Sequence, residues 1–219
     1  GGTGKTPLVA FLVHEFSKQG LKVAILSRGY RAIAGQANDE KLVLDQLCPG
    51  VPHLQRPDRV QSAQEAVAEH GAEVLVLDDG FQHRRLARDG DVVLIDALNP
   101  WGYGALLPRG LLREPKTSLR RATLAVITRA DQVPKSTREQ LRAEIARFHP
   151  QLPLAEVAFV PQRWINAEGE SRELAMLRNQ PLAAFCGIGN PDGFRQTLAA
   201  CGVQLSSEAL QTFPDHQHY

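Results

Sequence analysis

Gly1-Gly2-Thr3-Gly4-Lys5-Thr6-Pro7-Leu8-Val9 opens the chain, and the reading of residues 1–6 decides the fold. A glycine-rich turn that runs through Lys-Thr into a helical pattern is the second half of a phosphate-binding loop, G-x-x-x-x-G-K-[ST], whose first glycine would precede Gly1. Glycines let successive backbone N–H groups curl around phosphate oxygens without Cβ clashes. The helix that follows points its positive end at the same anion. In this reading Gly1, Gly2, Thr3, Gly4, Lys5 and Thr6 bind a nucleoside triphosphate: Lys5 neutralises the β- and γ-phosphates and the Thr6 hydroxyl completes a Mg²⁺ shell. The plainer alternative is a turn that caps an ordinary helix.

Working outward, Pro7 suits a first helical turn, Leu8, Leu12 and Phe16 recur on one face, and Gly20 closes the segment, which predicts a helix over 7–19. Apolar runs at Val23–Leu26, Val74–Leu77, Val92–Ile95 and Leu124–Ile127 read as buried strands, with helical patterns at about 40–47, 59–70 and 136–148 between or after them. Strands alternating with helices predict a parallel sheet covered on both faces. Leu98–Thr117 is rich in Pro and Gly with little periodicity and reads as a long functional loop. After His149-Pro150 the texture changes: short strand-like pieces surround Trp164, Glu168-Gly169 marks a turn, and Leu182–Cys186 leads into a helix at about 192–201. The expected architecture is therefore α/β: a P-loop NTPase-like nucleotide-binding domain over 1–150, then a linker and smaller, truncated α/β lobe over 151–219.

The 219 residues are 43% hydrophobic, enough for a buried core, and the net charge of +1 gives no whole-chain argument for nucleic acid. Cys48, Cys186 and Cys201 are odd in number and far apart, which fits neither a disulfide framework nor a zinc pattern. No apolar run is long enough to span a membrane, and no signal peptide is evident. The start at Gly1 and the stop at Tyr219 read as cuts through a longer protein, with any anchor upstream. Nothing points to a protein partner.

A P-loop needs a carboxylate for its metal at the end of a neighbouring strand. Val74-Leu75-Val76-Leu77-Asp78-Asp79-Gly80 supplies two, where the C-terminal edge of a parallel sheet meets its ligand. Asp78 and Asp79 are the expected metal residues; a simple Asp-Asp-Gly turn is the alternative. Arg28 and Tyr30 follow a strand end and are placed to meet phosphate or stack on a ligand. Gln82 and His83 follow the acids and are placed to position nucleotide or acceptor. Arg113, in the long loop, is placed to stabilise charge on a transferring phosphate, with Glu114 as its partner. Arg84, Arg85, Arg88, Arg109, Arg113, Lys116, Arg120 and Arg121 form a basic cluster that suits an anionic lipid or bilayer surface, or simply a solvated face. Trp101, Tyr103, Leu106 and Leu107 beside them would contact acyl chains or pack in the core.

These motifs together resemble the tetraacyldisaccharide 4'-kinase family of lipid A biosynthesis. The matches are GGTGKTPLV, Leu26-Ser27-Arg28-Gly29-Tyr30, Asp78-Asp79-Gly80-Phe81-Gln82-His83, Leu106-Leu107-Pro108, Leu112-Arg113-Glu114-Pro115, Phe185-Cys186-Gly187-Ile188-Gly189-Asn190-Pro191 and Phe213-Pro214-Asp215-His216. The resemblance implies ATP, Mg²⁺ and transfer of the γ-phosphoryl group to the 4'-hydroxyl of an acylated glucosamine disaccharide 1-phosphate, at the cytoplasmic face of the inner membrane. It also carries a proton acceptor onto Asp39 and its orienting partner onto His216, which would come from different lobes and meet on closure. Here Asn38-Asp39-Glu40-Lys41 stands where the family shows Gly-Asp-Glu-Pro, and the N-terminal hydrophobic helix usual in the family is not part of this chain. A rival reading on the same scaffold is a GTP-dependent switch or metallochaperone, with Thr128-Arg129-Ala130-Asp131 in place of the guanine-reading [NT]-K-x-D element.

Overall fold

The computed structural model describes residues 2–29, 39–180, 182–188, 190–206 and 209–213, with only the backbone of Asp39. Gly1, Tyr30 and His216, three of the expected site residues, lie outside them. The chain divides into two compact units, Thr3–Val157 and Gly1–Gly2 with Ala158–Tyr219.

In the larger unit, α1 (Lys5–Lys18) leads to β1 (Val23–Ser27), α2 (Asp39–Leu47), β2 (His53–Gln55), α3 (Arg59–His70) and β3 (Val74–Leu77). These strands form a parallel sheet in the order β2-β1-β3. β1 is central and every one of its residues is buried, which is why Val-Ala-Ile-Leu-Ser carries no polar alternation. Successive side chains leave on opposite faces. Val23 and Ile25 meet Val9, Ala10 and Val13 of α1 and Leu44 of α2, while Ala24 and Leu26 meet Ala63 and Ala66 of α3. Burial of an Ile25- or Leu26-sized side chain contributes roughly 1.5–3 kcal/mol. Asp58 caps α3 by accepting from the Val60 and Gln61 amides at 3.0 and 3.3 Å, and Gly71 ends it in the left-handed region, at φ 60°.

A second parallel sheet, in the order β4-β5-β6, follows from β4 (Val92–Asp96), β5 (Leu124–Thr128), α4 (Lys135–Phe148) and β6 (Leu154–Val157). Ala125 and Ile127 of β5 pack with Ile95, Leu119, Leu141, Ile145 and Leu152. The single sheet expected from the alternating pattern is thus two three-stranded sheets: among the described residues no ladder joins β3 to β4. β6 pairs with β5 from Leu154 to Val157, so the larger unit continues past residue 150.

The smaller unit holds the antiparallel pair β7 (Trp164–Ile165) and β8 (Ser171–Arg172), then β9 (Ala184–Cys186), α5 (Pro191–Ala200) and β10 (Leu210–Thr212), which pairs parallel to β9. Asn190 caps α5 through the Gly193 amide at 3.0 Å, with Pro191 in the first turn. Leu198, Cys201 and Val203 form its core with Trp164, Leu177, Leu182 and Phe194. All three cysteines are free and buried. No described helix is long and apolar enough to cross a membrane.

Candidate active site

The glycine turn reaches α1 through Gly4, whose φ of 90° and ψ of 20° lie in the left-handed region that favours glycine. No side chain caps this helix, so its first amides remain available to an anion. Lys5 and Thr6 occupy the first turn, both half-buried.

β3 delivers the acid pair to the same place. The Asp78 amide still donates to Leu26 O at 2.9 Å, which holds the residue at the strand end. Asp79 then turns into the left-handed region, at φ 54°. Gly80 follows because a Cβ there would lie 2.7 Å from the Cβ of Leu77. Lys5 Nζ stands 4.0 Å from Asp79 Oδ1, and Arg113 Nη1 donates to Asp79 Oδ2. The amide-lined turn and the two acids therefore share one locus.

Asp78 is 4% exposed, and its Oδ1 has no hydrogen-bond partner among the described residues. Burial pushes its carboxyl above the usual carboxylate range; the charges of Glu40 and Asp79 add to this, while Lys5 and Arg59 oppose it. An orphaned, destabilised carboxylate beside a phosphate-type turn fits a cation that is not part of the protein. Among the described residues no three His, Cys, Asp or Glu side chains group to hold a metal by themselves.

Arg59, buried in the first turn of α3, supports the acid pair from behind. Its Nη2 donates to Asp78 O at 2.9 Å and to Asp79 O at 3.3 Å. The sequence reading passed over it because a single Arg at a helix start is ordinary; a buried Arg shows itself only once α3 is packed. Glu40, in the first turn of α2, was likewise missed as a charge felt by Asp78.

The pairing expected between Arg113 and Glu114 does not form. Arg113 goes to Asp79, while Glu114 accepts from Arg121 Nη1 at 2.8 Å and Nη2 at 3.2 Å, and from Gln82 Nε2 at 3.3 Å. Arg121 also donates to Phe81 O at 3.1 Å and lies 4.2 Å from the Phe81 ring centroid. Glu114 thus clamps the strand-end turn to the long loop. Hydrogen bonding to Arg121, working against burial, holds its carboxyl down at about 2. A carboxyl depressed on folding stabilises fully above its ordinary value, and this contribution is lost as the pH falls toward the folded one. In urea titrations between about pH 5 and pH 2.5, the wild-type midpoint should therefore fall more steeply than that of Glu114→Gln; equal slopes would refute the clamp.

His83 is half-buried and its Nε2 has no partner among the described residues. Burial, then the neighbouring Arg59, Arg85 and Arg88, hold it below the usual histidine value, so it stays neutral. Arg28 is exposed just past β1. Asp39 begins α2; its side chain is outside the description, and no structural statement attaches to Tyr30 or His216. Trp101 and Lys116 are used inward: Trp101 Nε1 and Lys116 Nζ both donate to Glu144 of α4, at 2.7 and 2.6 Å. In the element compared with a guanine reader, Arg129 donates to Asp96 and Asp131 is exposed.

Fold and site together define a P-loop α/β protein built around a phosphate turn and a strand-end acid pair. Residues 1–219 match the family model described as tetraacyldisaccharide-1-P 4'-kinase. The chain belongs to the tetraacyldisaccharide 4'-kinase family. It is 40% identical over 235 residues to the tetraacyldisaccharide 4'-kinase of Anaeromyxobacter dehalogenans, covering 100% of this chain and 62% of that protein. It is 36% identical over 244 residues to that of Syntrophus aciditrophicus, covering 100% of this chain and 64% of that protein. In structure it is similar to LpxK from Aquifex aeolicus, described as an "apo" form in complex with ATP, with a TM-score of 0.69, 28% identity, and coverage of 99% of this chain and 69% of that one. The chain thus spans 62% of the length of the first of these relatives.

Proposed function

We propose that this chain carries the nucleotide site of an ATP-dependent kinase that phosphorylates the 4'-hydroxyl of a tetraacyldisaccharide 1-phosphate. The observation that carries the reading is the 4.0 Å approach of Lys5 to Asp79 beside the orphaned Asp78 oxygen. ATP in the Aquifex aeolicus relative supports the nucleotide, and the names of the curated relatives support the acceptor. Gly1 to Gly4 and the first amides of α1 cradle the phosphates. Thr6, Asp78 and Asp79 would hold Mg²⁺, which supplies charge neutralisation between the β- and γ-phosphates. Arg28, Tyr30, Gln82 and His83 position the ligands, and Glu114 acts through the clamp described above. Lys5 and Arg113, both on Asp79, are the cations free to turn to the γ-phosphoryl oxygens.

In the reaction the acceptor O4' forms a bond to Pγ while the bond from Pγ to the β–γ bridging oxygen breaks. Asp39 takes the hydroxyl proton, His216 orients Asp39, and ADP leaves with the bridging electron pair. Incubating the full-length protein with Mg-ATP and the disaccharide 1-phosphate should place a second phosphate on the non-reducing sugar. Absence of that product, or a preference for GTP over ATP in competition, would overturn the proposal and favour the switch reading.

The long loop supports peripheral contact with an anionic bilayer. Its turn is internally built: Leu111 N donates to Gly102 O at 2.8 Å, Leu107 N to Leu112 O at 2.9 Å and Gly110 N to Leu106 O at 3.0 Å. Yet Tyr103, Leu107 and Leu111 are 79%, 57% and 60% exposed, and residues 98–113 contain arginines but no acid. A rigid turn that presents apolar side chains and positive charge suits the interface of a cytoplasmic membrane leaflet. Tyr103→Ser with Leu107→Ser should reduce co-sedimentation with phosphatidylglycerol vesicles at least about threefold while leaving ATP binding unchanged. Equal sedimentation of the variant and wild type would remove the loop from this role.

A further inference from the structure

Asp45, His53 and Ser27 form a chain of hydrogen bonds outside the phosphate site, buried at His53 and Ser27 and reaching the surface at Asp45. His53 Nδ1 lies 2.9 Å from Asp45 Oδ1, His53 Nε2 lies 2.9 Å from Ser27 Oγ, and Lys41 Nζ donates to Asp45 Oδ2 at 2.6 Å. The His53 side chain is 1% exposed and Ser27 is 8% exposed. β2 lies beside β1 with His53 opposite Ile25, so Ile25, Ser27 and His53 face the same side, toward α2.

The proton positions follow from chemistry. Burial opposes ionisation of Asp45, but hydrogen bonds from Lys41 and His53 outweigh it and keep the carboxyl below its ordinary value. A carboxylate only accepts, so Nδ1 of His53 carries the proton. Burial keeps the imidazole neutral against the pull of Asp45, so Nε2 accepts from the Ser27 hydroxyl. The order Ser-His-Asp is that of a nucleophilic triad, but the serine and imidazole are closed to solvent, so the chain of bonds is fit for holding rather than attack.

What it holds is α2. That helix is anchored through Leu44 and Cys48, which are 0% and 1% exposed, while Leu42 and Val43 nearer its start are 51% and 45% exposed. The first turn is the part that matters to the site: Asp39 begins it, and the Glu40 charge reaches Asp78. Apolar anchoring at one end leaves the tilt of the other end open. Lys41 Nζ, one turn earlier in α2, donates to Asp45, so the Asp45–His53–Ser27 strut ties the start of the helix as well as its middle to the last residue of β1, immediately before Arg28.

We propose that His53 and Asp45 are positioning residues that set α2, and with it Asp39, relative to the C-terminal end of β1. This rests on the kinase reading. The test is steady-state kinetics of full-length His53→Leu, Asp45→Ala, the double variant and Asp45→Asn with Mg-ATP and the disaccharide 1-phosphate, alongside hydrogen exchange of α2 amides. Both single variants should lower kcat roughly ten- to a hundredfold with KM for ATP within about twofold. The double variant should fall no further than the worse single one, because one strut is cut in each. Asp45→Asn, whose amide oxygen still accepts from Nδ1–H, should stay within about threefold of wild type. Exchange in the first turn of α2 should quicken in the two disrupting variants and not in Asp45→Asn. Unchanged kcat in Asp45→Ala, whose surface position allows it to fold, would overturn the inference, as would additive losses or an equal loss in Asp45→Asn. Asp39→Asn separates the two readings. If it is inactive while the strut variants are normal, only the strut fails; if it is as active as wild type, the proton-acceptor assignment itself fails.

Discussion

Lys5→Ala should lower kcat/KM for ATP by about a thousandfold while leaving the thermal midpoint almost unmoved. Lys5 opens α1, and among the described residues its side chain meets one acid, Asp79, at 4.0 Å. The pair is partly exposed, at 31% and 39%, so its contribution to stability is about 0–1 kcal/mol after screening. In the proposed phosphoryl transfer its contribution would be of another order, because a fixed cation acts where charge develops on the β- and γ-phosphates. Lys5→Arg should not restore activity, since a planar guanidinium cannot replace a point charge on a slim stem in a glycine turn. Titrating ATP into each variant with calorimetry and turnover assays checks both claims. Turnover within about threefold of wild type in Lys5→Ala would detach the glycine turn from the chemistry.

Asp78→Asn should separate activity from stability in opposite directions. The buried carboxylate has an Oδ1 without a partner among the described residues, and burial together with Glu40 and Asp79 outweighs Lys5 and Arg59 in raising its pKa. A carboxyl whose folded pKa is raised contributes stability below the unfolded value, and that contribution is lost as the pH rises through the folded one. At neutral pH without ligand, the ionised Asp78 is therefore a cost to the fold. The amide removes that cost, so the midpoint should rise by about 2–4 °C for each kcal/mol recovered, and the rise should shrink on acidification. Phosphoryl transfer should fall about a thousandfold, because a neutral amide is a poor partner for a hard divalent cation. A lower midpoint at neutral pH would mean that the native acid is already satisfied, and full activity would exclude it from the metal site.

The elements that position the site were legible because they repeat simple patterns. Val74-Leu75-Val76-Leu77 followed by two acids could be placed as a buried strand ending at a ligand edge, and the observed β3 covers those four residues. The helices expected at about 40–47 and 59–70 appear as Asp39–Leu47 and Arg59–His70. β2 was not legible: His53-Leu54-Gln55 is too short to carry a period, and the His53 side chain is buried because Ser27 of β1 and Asp45 of α2 receive it. β6 carries Glu156, which binds Arg138 and Arg142 and so breaks the apolar run expected of a buried strand. The break between the sheets was equally hidden, since alternation along the chain does not say which strands share a ladder.

By itself the sequence determined which groups the proposed phosphate site is built from: the glycine turn running into Lys5-Thr6, the acids at the end of an apolar run, and a loop supplied with arginine. Those follow from local chemistry, because a turn, a helix start and a strand end are each written in a few consecutive residues. Only the tertiary structure decided how the charges pair: Arg113 to Asp79, Arg121 to Glu114, Arg59 behind both acids, and His53 between Ser27 and Asp45. Arg113 and Glu114 lie in a bend of the long loop, where neighbours in sequence leave the backbone in different directions and part company. Partners far apart in the sequence meet only when packed strands and helices fix the direction in which each side chain leaves the backbone.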